Sequence, residues 1–343
     1  MFKYMKNIFT PAKVEQFSSL ILQSTRVAVI AHTNPDGDAL GAGQALTLFL
    51  AQQFRLHAAG NQVRFIVPNH FPAFLSWIDP DRQIDVFIDA QKENTAFLAA
   101  ADLIIVVDMN DTRRADKMGQ ALEYNLTAPR VLIDHHIAPP SYDLSFHSTD
   151  SSSSSLLVFL LIEALGGSLT PQMASALYLG MMTDTGSFAY GNLDSTLFRA
   201  VAALVDAGAD VPAINRAVYN TQSESRVRMQ GYLLSEKMVV STTHHAAYMS
   251  LTMDEKQRFD YQIGDTEGMV NIPLTIDHVD FSAMLIETKE CIKISLRSIG
   301  DRDVNEIARE HFDGGGHRNA AGGKYLGTMH DAIALMQSVI DNL

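Results

Sequence analysis

Four short stretches of the chain hold residue types that can do chemistry together. In HTNPDGDALG, residues 32–41, His32, Asp36 and Asp38 fall within seven residues, and Pro35 and Gly37 force an irregular loop that lets the three side chains converge. Asp108 ends the apolar run LIIVV, and Asp134-His135-His136 ends RVLI. Asp184 follows a helical stretch in MMTDTGSF, beside Gly186. His32, Asp36, Asp38, Asp108, His135 and Asp184 form a set of four carboxylates and two imidazoles without sulfur, which suits Mn2+ or Mg2+ better than structural zinc. Six ligands are too many for one ion that keeps an open position. They suit two ions sharing a bridging carboxylate, about 3.5–4 Å apart, which acidify a water and clamp the oxygens of a phosphoryl group. Carboxylates gathered this closely repel one another unless a cation lies among them.

Taken singly, each stretch has a plain structural account. Asp38 can cap a helix, Asp108 can begin a turn with Asn110 and Asp111, Asp184 can close a helix, and His135-His136 can be a surface pair. What joins them is the pattern of elements. RVAVIA (26–31), QVRFIV (62–67), DVFI (85–88), LIIVV (103–107) and RVLI (130–133) read as strands, and residues 39–54 read as a helix. Apolar strands alternating with helices indicate a parallel sheet covered on both faces. Ligands bind such sheets beyond the carboxyl ends of the strands. Three strands therefore deliver His or Asp to one rim. Further helices are expected over 155–166, 171–182 and 195–207. DSSSSS (150–155) leads into the first of these, where serines serve as helix caps before any role with an anion.

Length and composition bound the rest. At 343 residues two domains are expected. The chain is 47% hydrophobic and 19% charged, which gives a packed core rather than disorder. A net charge of −13 argues against a surface that grips long duplex nucleic acid. Cys291, the one cysteine, excludes an intramolecular disulfide or a cysteine zinc site, and its strand-like flanks read as a core thiol. The N-terminal stretch has no signal-peptide pattern, and LLVFLLIEALGG is too short to span a bilayer and carries Glu163, so a cytoplasmic protein without membrane attachment is expected. A partly helical connector covers 208–235. After it, alternating and apolar runs followed by helices at 303–311 and 330–342 indicate a smaller mixed-sheet α/β domain over 236–343. Asp277 and His278 in IDHVDF, and the His244-His245 pair, lie far from the first rim in sequence and are read as non-ligands.

HTNPDGDALG, VVDMND, IDHH and MTDTGSF resemble, in order and spacing, the four motifs of the DHH phosphoesterase superfamily. ISLRSIGDRDVNEIAREHFDGGGHRNAAGG (294–323) is similar to the signature of the DHHA1 domain, with Asp313 standing where a first glycine is common. The arrangement is most similar to the bacterial oligoribonuclease and pAp-phosphatase branch. The resemblance implies a DHH metal-binding domain over 1–207 and a DHHA1 substrate-binding domain over 236–343, with a cleft between them. It implies His32, Asp36 and Asp108 on one ion. Asp38, Asp108, His135 and Asp184 would hold the other, with Asp108 bridging. Asp134 orients a histidine, and His136 faces the substrate phosphate. Arg297, the run Gly314-Gly315-Gly316 and His317 would bind substrate: glycine amides approach an anion closely, and an arginine fork suits a phosphate. The implied ions are Mn2+, or Mg2+. The implied substrates are short single-stranded oligoribonucleotides or 3′-phosphoadenosine 5′-phosphate. The alternatives are a cyclic or linear dinucleotide phosphodiesterase, a polyphosphate or pyrophosphate hydrolase, and a metal-dependent nucleotide sensor. A homodimer is compatible with the sequence.

Overall fold

The apolar runs form strands because β-branched residues covered on both sides fit a buried pleat. The computed structural model describes residues 7–57, 61–125, 127–137 and 141–343, the side chains of 54–57 excepted. It divides into two compact units, Met1–Thr221 and Gln222–Leu343.

The first unit holds strands β1 (Arg26–Ile30), β2 (Gln62–Val67), β3 (Ile84–Val86), β4 (Leu103–Val107), β5 (Arg130–Asp134) and β6 (Leu144–His147). All pairings are parallel, in the order β3-β2-β1-β4-β5-β6. Its helices are α1 (Pro11–Gln23), α2 (Gly37–His57), α3 (Gln91–Ala99), α4 (Asp116–Ala121), α5 (Ser154–Ala164), α6 (Pro171–Asp184), α7 (Ser195–Asp206) and α8 (Val211–Tyr219). Alternation along the strands sorts the core into two layers. Val27, Val29, Leu103, Ile105, Val131 and Ile133 pack with α1, α2, α5 and α6. Ala28, Ile30, Ile104, Val106 and Leu132 pack with α3 and α4 on the other face. The strand order reverses between β1 and β4, and a doubly wound sheet opens its ligand crevice at such a point. β6, in LSFH, is a strand not expected from the sequence.

The second unit holds α9 (Glu224–Tyr232), β7 (Val239–Ser241), β8 (Ala246–Leu251), α10 (Met253–Arg258), β9 (Phe281–Glu287), β10 (Ile292–Ser298), α11 (Val304–His311), β11 (Gly315–His317), β12 (Ala320–Tyr325) and α12 (Met329–Asp341). Its sheet is mixed, in the order β11-β12-β10-β9-β8-β7, with β8 and β9 parallel and the other pairs antiparallel. Leu285, Ile294, Leu296 and Ala321 face α11 and α12. Met249, Met284 and Ile286 pack with Met229 and Leu233 on the opposite face.

The stretch 208–235, expected as a connector, is taken up by both cores. Ile214 and Val218 of α8 are buried in the first unit, and Met229 of α9 in the second. Cys291 is half-buried in the turn before β10, where its amide bonds to Thr288 Oγ1 at 3.1 Å, so it is not a core thiol. Among the described residues no helix is long and apolar enough to cross a membrane.

Candidate metal centre

The rim of the first sheet assembles from strand ends. His32 lies two residues beyond β1, Asp108 directly follows β4, and Asp134 ends β5. Asp108 takes a left-handed backbone (φ 52°), uncommon outside glycine, as the chain turns away from its strand. Asp36 is the helix cap that Asp38 was a candidate to be: its Oδ1 accepts from the amides of Asp38 (3.0 Å) and Ala39 (3.1 Å). That frees Asp38, in the first turn of α2, to point inward. α2 and α6 approach closely through glycine. A Cβ on Gly180 would lie 2.7 Å from Asp38 Oδ1 and overlap Ser155 Oγ, and one on Gly37 would overlap Thr183. This close approach brings Asp184, the last residue of α6, to the site.

Several donor triads result among the described residues, and two hold the six expected ligands. His32, Asp36 and Asp108 offer ligand atoms within 4.8 Å of one another, and so do Asp38, His135 and Asp184. His32 Nε2 is 3.3 Å from Asp108 Oδ2 and 3.8 Å from Asp36 Oδ2. His135 Nε2 is 3.5 Å from Asp108 Oδ1, 3.4 Å from Asp184 Oδ2 and 3.9 Å from Asp38 Oδ2. Each histidine turns its other nitrogen to a backbone carbonyl: His32 Nδ1 to Thr33 at 2.9 Å, His135 Nδ1 to Ser151 at 3.2 Å. With Nδ1–H donating there, Nε2 is the nitrogen that faces the carboxylates and would ligate a cation once it gives up its proton. His32, Asp38, Asp108 and His135 are buried, while Asp36 and Asp184 reach solvent.

Asp134 is fully buried and serves His136. One oxygen accepts from His136 Nδ1 at 2.8 Å and the other from the His136 amide at 3.0 Å. The His147 ring in turn bonds to the His136 carbonyl at 2.6 Å. Of the two arginines that follow Asp108, Arg113 is exposed and forks onto Asp111, whereas the charge of Arg114 reaches His32 and opposes its protonation.

The electrostatics call for positive charge. Burial, then the charges of Asp108 and Asp184, push the Asp38 carboxyl well above the usual range. Burial opposes ionisation of Asp108 too, but hydrogen bonds to His135 and His32 hold its carboxyl well below that range. Burial disfavours charge on His135, yet Asp184 and then Asp108 raise it well above its ordinary value. A protonated histidine here stands where a divalent cation would serve the same carboxylates. Hard oxygen donors with two imidazoles fit such a cation.

Sequence reasoning read Ser154 and Ser155 first as helix caps and missed their contact with Asp38 and Asp108, and it missed Gly180. Their signal was five serines running straight into the apolar helix α5, followed by the glycine of YLGMM.

In the second unit the register of three strands orders the remaining candidates. Arg297 of β10 pairs with Ala320 of β12, and Ala320 pairs with His317 of β11. Opposed residues share a face, so Arg297 and His317 flank the small Ala320 on the face away from α11 and α12. Their Cα atoms are roughly 10 Å apart, two strand spacings. Arg297 Nη1 donates to the carbonyl of Leu296 at 2.9 Å. Two amides of the glycine run are engaged within the unit. The Gly314 amide donates to Ala308 O at 3.1 Å and the Gly316 amide to Asn305 Oδ1 at 2.9 Å. Cβ atoms at Gly314 and Gly316 would strike the backbone of β12, so strand packing requires these glycines. Asp313 itself takes the left-handed conformation (φ 43°). Asp277, His278 and the His244-His245 turn also lie in this second unit.

Known proteins match both units. Residues 26–181 match the DHH family, N-terminal domain, and residues 244–342 match the DHHA1 domain. A crystal structure of an exopolyphosphatase-related protein from Bacteroides fragilis is 38% identical, covers 96% of each chain and superposes with a TM-score of 0.89. The bifunctional oligoribonuclease and PAP phosphatase NrnA of Mycoplasma genitalium is 28% identical over 308 residues, 88% of this chain and 89% of that one. A membrane protein–ribosomal subunit bL9 fusion protein of onion yellows phytoplasma is 28% identical over 310 residues, and the match spans only 35% of its length. With both domain matches in sequence order and the four motifs gathered on one sheet rim, the chain belongs to the DHH–DHHA1 superfamily of phosphoesterases.

Proposed function

We propose that the protein uses two divalent cations, Mn2+ in preference to Mg2+, to hydrolyse short single-stranded oligoribonucleotides and 3′-phosphoadenosine 5′-phosphate, releasing a nucleoside monophosphate. The observation that carries this reading is Asp108, buried with Oδ2 toward His32 and Oδ1 toward His135 of the other triad. His32, Asp36 and Asp108 would hold one cation, and Asp38, Asp108, His135 and Asp184 the other. When bound, the cations supply the charge that acidifies a water and neutralises the phosphoryl oxygens. The chain's own work is positional. Asp134 holds the His136 ring through Nδ1, and His136 is assigned to the substrate phosphate. Arg297 and His317 are assigned to a further phosphate of the substrate, with Gly314, Gly315 and Gly316 shaping the strand that carries His317. The substrate class follows relatives named oligoribonuclease and PAP phosphatase.

A polyphosphate hydrolase is the second reading, favoured by the 38% identical exopolyphosphatase-related protein. A Mn2+-supplemented substrate panel separates the two: 3′-phosphoadenosine 5′-phosphate, RNA from dimers to 24-mers, cyclic dinucleotides, pyrophosphate and polyphosphate. Turnover of the nucleotide and of short RNA is expected. Rates per end should fall as the RNA lengthens, because a chain of net charge −13 neutralises few phosphates. Turnover of polyphosphate alone, or rates that rise toward 24-mers, would overturn the proposal.

A further inference from the structure

The serine run does more than cap α5, and the anion it meets belongs to the protein. Ser151 through Ser155 are all buried. Ser153 is the cap, its hydroxyl accepting from the Leu156 amide at 3.1 Å. The next two amides, which open the helix, go to one carboxylate. Ser154 N donates to Asp38 Oδ2 at 2.7 Å and Ser155 N to Asp38 Oδ1 at 2.9 Å. Both oxygens of Asp38 are thus held by the positive end of α5. The Ser154 hydroxyl reaches a second carboxylate, donating to Asp108 Oδ1 at 2.9 Å. The Ser151 carbonyl meets His135 Nδ1. One turn of chain therefore touches Asp38, Asp108 and His135.

Ser154 is the centre of this contact. A carboxylate is free to rotate about its Cβ–Cγ bond, and rotation of Asp108 would undo the division that sends Oδ2 to His32 and Oδ1 to His135. Ser154 Oγ is a fixed donor on Oδ1, and its own amide is committed to Asp38. We infer that Ser154 is a positioning residue of the metal centre, its hydroxyl fixing the plane of Asp108 so that one carboxylate serves two cations. This rests on the two-cation reading of the site.

The test is Mn2+ binding by the full chain, stripped with chelator and titrated with free Mn2+ followed by electron paramagnetic resonance, with thermal unfolding alongside. Loss of a residue that orients a metal ligand typically weakens affinity about 10- to 100-fold, and Ser154→Ala should fall in that range while remaining folded, with unfolding only somewhat earlier for the lost hydrogen bond to a buried carboxylate. Ser152→Ala is the matched control. It removes a buried hydroxyl two residues away that has no hydrogen-bond partner among the described residues, and its Mn2+ affinity should match wild type. Ser154→Thr and Ser154→Val have nearly the same shape and differ in the hydroxyl. Tighter binding by the Thr variant isolates that group even where added bulk lowers stability. Equal affinities in wild type and Ser154→Ala, or in the Thr and Val variants, would overturn the inference alone. No Mn2+ binding by the wild-type chain would overturn the two-cation reading and this inference with it.

Discussion

Asp108 Oδ2 lies 3.3 Å from His32 Nε2 while Asp108 Oδ1 lies 3.5 Å from His135 Nε2, so one carboxylate at the end of β4 faces two histidines from two other strands. If it bridges two ions, removing its charge harms both sites at once. Asp108→Asn keeps the shape and loses the charge. It should lower kcat/KM by about three orders of magnitude or more, as when a group on which the whole site depends is lost. Elemental analysis should show fewer than two Mn2+ per chain. Full activity with two ions retained in Asp108→Asn would contradict the bridging assignment.

Gly180 tests the close approach of α2 and α6. In a helix interior Ala is favoured over Gly by about 1 kcal/mol. Here the added methyl meets Asp38 Oδ1 and Ser155 Oγ. Gly180→Ala should therefore destabilise by about 1–3 kcal/mol, the usual cost of overpacking, and weaken Mn2+ binding as Asp38 shifts. A raised melting temperature would mean that helix propensity decides at this position.

A residue's role can be read from sequence only as far as it depends on local pattern. Asp108, Asp134 and His135 are legible because apolar runs announce β4 and β5, and a residue at or just past the end of a buried parallel strand lies on the ligand rim. β6 is harder to read: LSFH alternates apolar and polar, and its burial follows that alternation, but four residues are the shortest run that carries a strand signal. Ser154 is illegible for a different reason. A serine counts as polar and exposed until it is known that α5 points its first turn at Asp38, a contact across 116 residues of sequence. The run Gly314-Gly315-Gly316 has two physical readings, amide access to an anion or close packing of strands. The pairing of β11 with β12 shows the close packing at Gly314 and Gly316.

Glu255 provides a pH-dependent test of the second unit. Its carboxylate meets Lys237 Nζ and the Tyr232 hydroxyl, each at 2.7 Å, and closes a capping box with Thr252. Burial works to raise its pKa, but the Lys237 hydrogen bond and the Thr252 amide hold it at about 2, below the ordinary 4.5. A depressed carboxylate pKa stabilises the fold above the unfolded value, and the gain fades as pH falls toward the folded one. Glu255→Gln should be less stable by about 1–2 kcal/mol at pH 7, the scale of hydrogen bonds to a charged group. The gap from wild type should close as pH drops from 4.5 toward 2. Melting curves across that range check it, and a gap that stays constant through the acid range would rule out the carboxylate as its source.

Arg297 separates substrate binding from the metal centre. The proposed ligands lie between residues 32 and 184, in the first unit, whereas Arg297 and His317 lie on β10 and β11 of the second. Arg297→Ala should leave bound Mn2+ unchanged and remove a charge-assisted contact to a substrate phosphate. Truncating one partner of such a pair costs about 2–5 kcal/mol, which is roughly 30-fold to several-thousand-fold in kcat/KM at about 1.4 kcal/mol per decade. That loss is expected for 3′-phosphoadenosine 5′-phosphate, which carries a second phosphate. Bis-p-nitrophenyl phosphate has none, so its hydrolysis should change far less in the same variant. Equal losses on both substrates would place Arg297 at the reacting phosphoryl group or in the support of the fold. Loss of bound Mn2+ would show that the second unit contributes to the metal centre after all.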